Sequence, residues 1–95
     1  MIIAQLSIVP LGKGTSVSSY VKIVLEILRN NHVKFQTNAM GTVIETTEIG
    51  TLFSVVEKAH NAVIKAGAER VVTELKIDDR RDKEATMESK LNALK

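Results

Sequence analysis

Cysteine and tryptophan are both missing from this chain. The first absence excludes disulfides, thiol chemistry and cysteine-based metal sites. Aromatic residues are scarce as well. Tyr20, Phe35 and Phe53 are the full set, so the stacking platforms of single-stranded nucleic-acid binders have almost nothing to be built from. Charge of one sign does not accumulate either: 13 lysines and arginines stand against 11 aspartates and glutamates, for a formal net charge of +2, and the signs are interspersed. No nucleic-acid partner is expected from that pattern. The opening apolar run lacks a basic leader and is too short to span a bilayer, so the expectation is a cytoplasmic protein with no signal peptide and no membrane segment. What the chain does have is aliphatic residues. With 95 residues, 44% of them hydrophobic, it suits one folded domain over 1–95 with one modest core.

The opening run, IIAQLSIVP over 2–10, is apolar at Ile2, Ala4, Leu6 and Ile8 and largely apolar again at Ile3 and Val9. A short run rich in branched residues and closed by Pro10 and Gly12 reads as a central strand, covered on both faces, with Gln5 and Ser7 as its polar interruptions. LGKGT over 11–15 is a turn, and Ser16, Ser18 or Ser19 is placed to cap the helix after it. Val17, Val21, Val24, Leu25 and Leu28 recur at helical spacing, and this amphipathic helix ends near Asn30-Asn31-His32. A second strand is expected over 33–38, then a reversal at Ala39-Met40-Gly41 where Gly41 can take positive φ, then a third strand over 42–47. Thr51 is the expected cap of a second helix striped by Leu52, Val55, Val56, Ala59, Val63 and Ala66 and stopped by Gly67. A fourth strand over 70–78 alternates Val71, Thr73, Leu75 and Ile77 against Val72, Glu74, Lys76 and Asp78. The tail from about Lys83 forms a weaker helix with Met87, Leu91 and Leu94 on one side; it is expected to dock on an edge or on a neighbouring subunit.

This order predicts an α+β fold: a ferredoxin-like βαββαβ sandwich whose four-stranded antiparallel sheet has strand order 4-1-3-2, with an extra C-terminal helix. One sheet face takes the helices. The other is expected to carry Ile3, Gln5, Ser7 and Val9, Val72, Glu74, Lys76 and Asp78, Gln36 and Asn38, and, if Met40-Gly41 is a two-residue loop, Val43, Glu45 and Thr47. Its mixture of apolar and polar groups suits either a homo-oligomer interface or a small-molecule pocket.

Individual residues offer little conventional chemistry. His32 and His60 have no second imidazole at metal spacing, and His32 reads as a helix C-terminal residue favoured by the helix dipole. The serines lack a Ser-His-Asp arrangement. Gly12 and Gly14 lack the spacing of a phosphate loop. Glu45, Glu74 and Asp78 are carboxylates suited to accepting from a cationic or amino-heterocyclic ligand, with Glu45 or Glu74 as general base in a rival enzymatic reading that no companion group supports. Arg80 or Arg81, in the charge-dense run 78–83, could hold an anion.

Taken in order, the strand ending VPLG, the Ser19-Tyr20 pair, AMGTVIE from Ala39 to Glu45, the region of His60, Gly67-Ala68-Glu69-Arg70-Val71 and KIDDRRDK from Lys76 to Lys83 resemble the small thiamine-binding proteins of the YkoF-like type, long grouped as an uncharacterised family. The likeness runs over nearly the whole chain. It implies a ferredoxin-like fold, assembly through the sheets as dimers and commonly as dimers of dimers, no enzymatic activity, no cofactor, and thiamine or its hydroxymethylpyrimidine part as a ligand. The family's MGT segment falls on Met40-Gly41-Thr42, with Glu45 following, and its arginine-aspartate segment falls on Arg80-Arg81-Asp82; Ala39 stands where the family usually has proline. That motif and the sheet-face argument together name Gln5, Ser7, Asn38, Thr42, Glu45 and Thr47 as ligand-binding residues. The expected function is non-enzymatic small-molecule binding; the alternative is a homo-oligomeric structural or regulatory protein with no dedicated ligand.

Overall fold

The computed structural model describes residues 1–14 and 17–95. Its elements run β1 (Ile2–Pro10), α1 (Ser18–Asn30), β2 (Lys34–Thr37), β3 (Thr42–Thr46), α2 (Ile49–Lys65), β4 (Val71–Asp79) and α3 (Met87–Asn92). The strands form one antiparallel sheet in the order β2-β3-β1-β4, which is the 4-1-3-2 order read from the other side. The fold is ferredoxin-like with an added C-terminal helix.

The core lies between one sheet face and the two long helices. Ile2, Ala4, Leu6 and Ile8 of β1 are buried there with Ile44 of β3, Val24 and Leu28 of α1, and Leu52, Val55, Ala59 and Val63 of α2. Val71, Leu75 and Ile77 of β4 pack against this cluster. The period-two burial of β1 and the stripe of α2 are what place these residues on one side, since successive strand side chains alternate faces and helical ones recur every three to four positions.

Three local expectations are corrected. Neither Ser18 nor Ser19 caps α1: Val17 holds the N-cap position, and no side-chain hydrogen bond is made there. Ser16, the third expected cap, lies with Thr15 outside the described residues. Thr51 sits inside α2, because the Leu52 N–H already donates to the Glu48 carbonyl (3.3 Å), so the helix begins at Ile49. Gly41 is not needed for positive φ, which among the glycines belongs to Gly12, Gly14 and Gly67. Gly67 does end α2 as expected: at φ +115° it carries the chain out of the helix, and the Ala68 N–H reaches back to the Val63 carbonyl (3.5 Å).

The tail crosses the face of the sheet opposite α1 and α2. Met87 and Ala85 are buried while Leu91 and Leu94 of the same tail are exposed, so the short helix is anchored at its N-terminal end. We expect Leu52→Ala to lower unfolding free energy by about 2–5 kcal/mol, as for other fully buried leucines. Leu91→Ala should change it by about 0.5 kcal/mol or less, both by urea denaturation.

Candidate functional site

The site follows from a difference in strand length. β1 pairs with β4 along its whole length, from Ile2 opposite Asp79 to Pro10 opposite Val71. On its other side it pairs with β3 only from Ile2 to Leu6, where Thr42 is its last partner. The β2–β3 hairpin turns back at that point: Thr37 pairs with Thr42, and the Asn38 N–H donates to the Gly41 carbonyl (2.9 Å). From Ser7 to Val9 the edge of β1 therefore has no strand on the hairpin side.

The turn itself is tied by Asn38, whose Oδ1 accepts from the backbone N–H groups of Met40 (2.8 Å) and Gly41 (3.0 Å), an arrangement asparagine favours in tight reversals. Gly41 passes close to β1: a Cβ there would lie 3.3 Å from the Leu6 carbonyl oxygen, a tight contact that glycine avoids. The loop residues are thus Ala39 and Met40, one position earlier than Met40-Gly41. The register moves by an even step, so the faces of β3 are as expected: Val43 and Glu45 point away from the helices, Thr42 and Ile44 toward them.

Between the unpaired edge of β1, the turn and the start of α1 lies a cleft of about 220 Å³. Its walls are apolar at Leu6, Ile8, Val17, Val21, Val24 and Met40, and polar at Ser7, Thr37, Asn38 and Thr42. The Thr37 and Thr42 hydroxyls share a hydrogen bond (3.0 Å). With its oxygen committed to the turn, Asn38 keeps its NH2 as a donor among the described residues. Val17 and Val21, expected in the core, line this cleft instead, and Val21 is 38% exposed.

Of the six residues expected to bind ligand, Ser7, Asn38 and Thr42 meet in this cleft. Gln5 lies outside it, on the open sheet face, in a shallow groove shared with Ser7, Met40, Glu74 and Lys76. Thr47 is at the opposite end of β3, where its hydroxyl contacts the Met1 sulfur (3.7 Å). Glu45 is on the open face but is taken by the chain's own tail. Its carboxylate is 4% exposed, Oε1 accepts from the Met87 backbone N–H (2.7 Å), and Oε2 lies 3.6 Å from the Lys34 ammonium. A carboxylate at the first N–H of a helix is favoured by the unpaired donors and the dipole of that helix end. Lys90 reaches Asp78 (2.6 Å) on the other side of Ile3, which explains why Ile3 is buried although it faces away from the core. The cleft-lining residues that sequence reasoning missed are Thr37 and the valines of α1; the signal that could have found them is the surplus length of the first strand over the third.

Arg80, Arg81 and His60 are internally engaged. Arg80 grips Asp82 through Nε (2.6 Å) and Nη2 (2.9 Å), and Arg81 grips Asp79 (2.8 Å through Nη2), so neither guanidinium is poised for an external anion. These hydrogen bonds hold the Asp79 and Asp82 carboxyls below the usual aspartate range. Any stability they lend is present above that range and is lost as pH falls through the lowered values. His60 Nδ1 is paired with the Thr73 hydroxyl (2.6 Å), and His32 occupies a left-handed turn position at φ +57°. Among the described residues there is no cluster of potential metal ligands.

Two outcomes follow. Glu45→Ala should leave the Met87 N–H without its acceptor, cost about 1–3 kcal/mol and speed hydrogen exchange at the Met87 amide. Arg81→Ala should raise the Asp79 carboxyl toward the ordinary aspartate range in an NMR titration.

Comparison with known proteins agrees with this architecture. The model of the thiamine-binding protein family matches residues 4–95. The chain is 46% identical over 93 residues to the UPF0045 protein MJ1052 of Methanocaldococcus jannaschii, covering 98% of this chain and 91% of that one. The crystal structure of that relative superposes with a TM-score of 0.91, covering 98% of this chain and 94% of that one. A UPF0045 protein of Methanothermobacter thermautotrophicus is 43% identical over 96 residues, covering 100% of this chain and 97% of the relative. A solved domain of unknown function from Bacillus cereus, 33% identical, gives a TM-score of 0.83 over 95% of this chain and 86% of its own. The chain belongs to the thiamine-binding protein family.

Proposed function

We propose that this protein is a non-enzymatic binder of thiamine or its hydroxymethylpyrimidine part, and that the ligand ring enters the cleft between β1, the β2–β3 turn and α1. The observation that carries the reading is the unpaired β1 edge beside a small, mostly apolar cavity. Strand edges carry unsatisfied N–H and C=O groups, and an aminopyrimidine presents an exocyclic amine beside ring nitrogens, which complements such an edge much as an added strand does. Ser7, Asn38 and the Thr37–Thr42 hydroxyl pair supply further donors and acceptors, and the α1 valines with Met40 cover the ring faces. At about 220 Å³ the cavity is below the about 300 Å³ where drug-sized pockets begin. One ring fits better than two, which favours the pyrimidine as the part held inside. Family membership supports small-molecule binding in general; the assignment of ring and cleft is ours.

A location on the open face, centred on Glu45, is less favourable because the tail already satisfies that carboxylate. The enzymatic alternative is also disfavoured: Glu45 has its partners, and Glu74 is an exposed carboxylate with no companion acid or base in contact among the described residues.

Calorimetric titration with hydroxymethylpyrimidine and with thiamine tests the reading. Saturable heat is expected for the pyrimidine. Val21→Trp, which fills the cleft from its exposed wall, should weaken binding about tenfold or more, equivalent to about 1.4 kcal/mol, whereas Glu45→Gln should leave affinity unchanged. No heat and no thermal shift with either compound at millimolar concentration would contradict the proposal, and loss of binding in Glu45→Gln alone would move the site to the open face.

A further inference from the structure

We infer that the groove beside the cleft is a second subsite, with Glu74 and Lys76 as its specificity-determining residues. The ligand class it selects is an aminopyrimidine joined to a cationic ring that ends in a phosphate; this rests on the pyrimidine's place in the cleft proposed above.

The cleft suits one ring, so the remainder of a two-ring ligand has to leave it. Ser7 and Met40 show where that path leads. Both line the cleft, and both also line a shallow groove of about 670 Å³ on the open face, walled further by Gln5, Glu74, Leu75 and Lys76. Met40 is 84% exposed at this shared wall. Its flexible thioether is suited to lie over the carbon that links two rings.

Strand pairing sets the order of polar groups along the groove. Ser7 stands opposite Glu74, and Gln5 stands opposite Lys76. Residues directly opposite have Cβ atoms about 4.5–5.5 Å apart, and same-face neighbours along a strand are about 7 Å apart. Counted outward from the cleft, a ligand meets the Ser7 hydroxyl, then a carboxylate, then an ammonium with the Gln5 amide beside it. A pyrimidine that carries a cationic ring through one carbon, with a phosphate on a short arm of that ring, presents its charges in the complementary order.

The two protein charges are also unengaged. Glu74 and Lys76 are exposed, and among the described residues neither forms an ion pair. Glu45, Asp78, Asp79 and Asp82 each do. The groove is net neutral, so a bare cation is drawn by Glu74 and opposed by Lys76, and a lone phosphate meets the reverse. A ligand that carries both charges in the right order gains from both contacts. A lysine beside a phosphate also supplies a charge-assisted hydrogen bond. Selection by the groove is therefore for the doubly charged ligand.

Calorimetric titration at low salt with hydroxymethylpyrimidine, thiamine and thiamine phosphate tests this, on the unmodified protein, Glu74→Gln and Lys76→Gln. Both contacts are solvent-exposed, so each should be worth about a two- to fivefold change in affinity. The unmodified protein should bind thiamine phosphate more tightly than thiamine by that factor. Glu74→Gln should lower the affinity for thiamine relative to hydroxymethylpyrimidine by a similar factor. Lys76→Gln should abolish the preference for the phosphate ester, and high salt should shrink both differences. Circular dichroism should be the same for all three proteins. No binding of any of the three compounds would overturn the pyrimidine reading and this inference with it. Three results obtained while hydroxymethylpyrimidine still binds would overturn this inference alone. They are thiamine phosphate binding no tighter than thiamine, a phosphate preference that survives Lys76→Gln, and a thiamine-to-pyrimidine affinity ratio unmoved by Glu74→Gln.

Discussion

The constraint on which the rest depends is the unequal pairing of β1. Nine residues of that strand meet β4, but β3 reaches only its first half before the hairpin turns back. Asn38 ties the turn there by accepting from two backbone N–H groups, and Gly41 lets it pass close to the Leu6 carbonyl. The sheet is therefore continuous at the end of β1 that starts the chain and open on one side at the end that leads into α1. The cleft in which Ser7, Asn38 and Thr42 meet comes from that step in the sheet.

The opposite face has a different economy. A strand with branched residues on both sides needs cover on both, and the chain provides the second cover itself. The tail passes over Ile3, with Glu45 and Asp78 as its polar anchors on the flanking strands. A six-residue helix has too little intrinsic stability to persist alone; its Thr86–Ser89 capping box and the Glu45 contact account for its order. The result is a face covered at one end and bare at the other, where Gln5, Ser7, Val9, Val72, Glu74 and Lys76 remain.

Much of the fold was legible because periodicity reports burial directly. The alternation of Ile2, Ala4, Leu6 and Ile8, the stripe from Leu52 to Val63 and the stop at Gly67 all correspond to what the packing uses. Helix starts were less legible: a serine or threonine before an apolar run predicts a cap only if the backbone enters the helix at that residue, and here Val17 and Glu48 do so instead. The candidate site was legible in part. Ser7, Asn38 and Thr42 meet in one cleft, but Thr42 does so from the helix side of the sheet and Gln5 and Thr47 lie elsewhere. Glu45 looked like a ligand group because a carboxylate on a sheet face has no visible partner in the sequence; its partner is a backbone N–H more than forty positions away, and no side-chain pattern announces a backbone donor.

The central claim is that the ligand sits where β1 lacks a strand partner, not on the open face. Amide chemical-shift mapping of labelled protein on addition of hydroxymethylpyrimidine tests this most directly. The account predicts the largest shifts at Ser7 to Val9, at Asn38 to Thr42 and along Val17, Val21 and Val24, with Lys76, Asp78 and Met87 unmoved. Shifts centred on Glu45, Met87 and Lys90, with the hairpin turn silent, would contradict it.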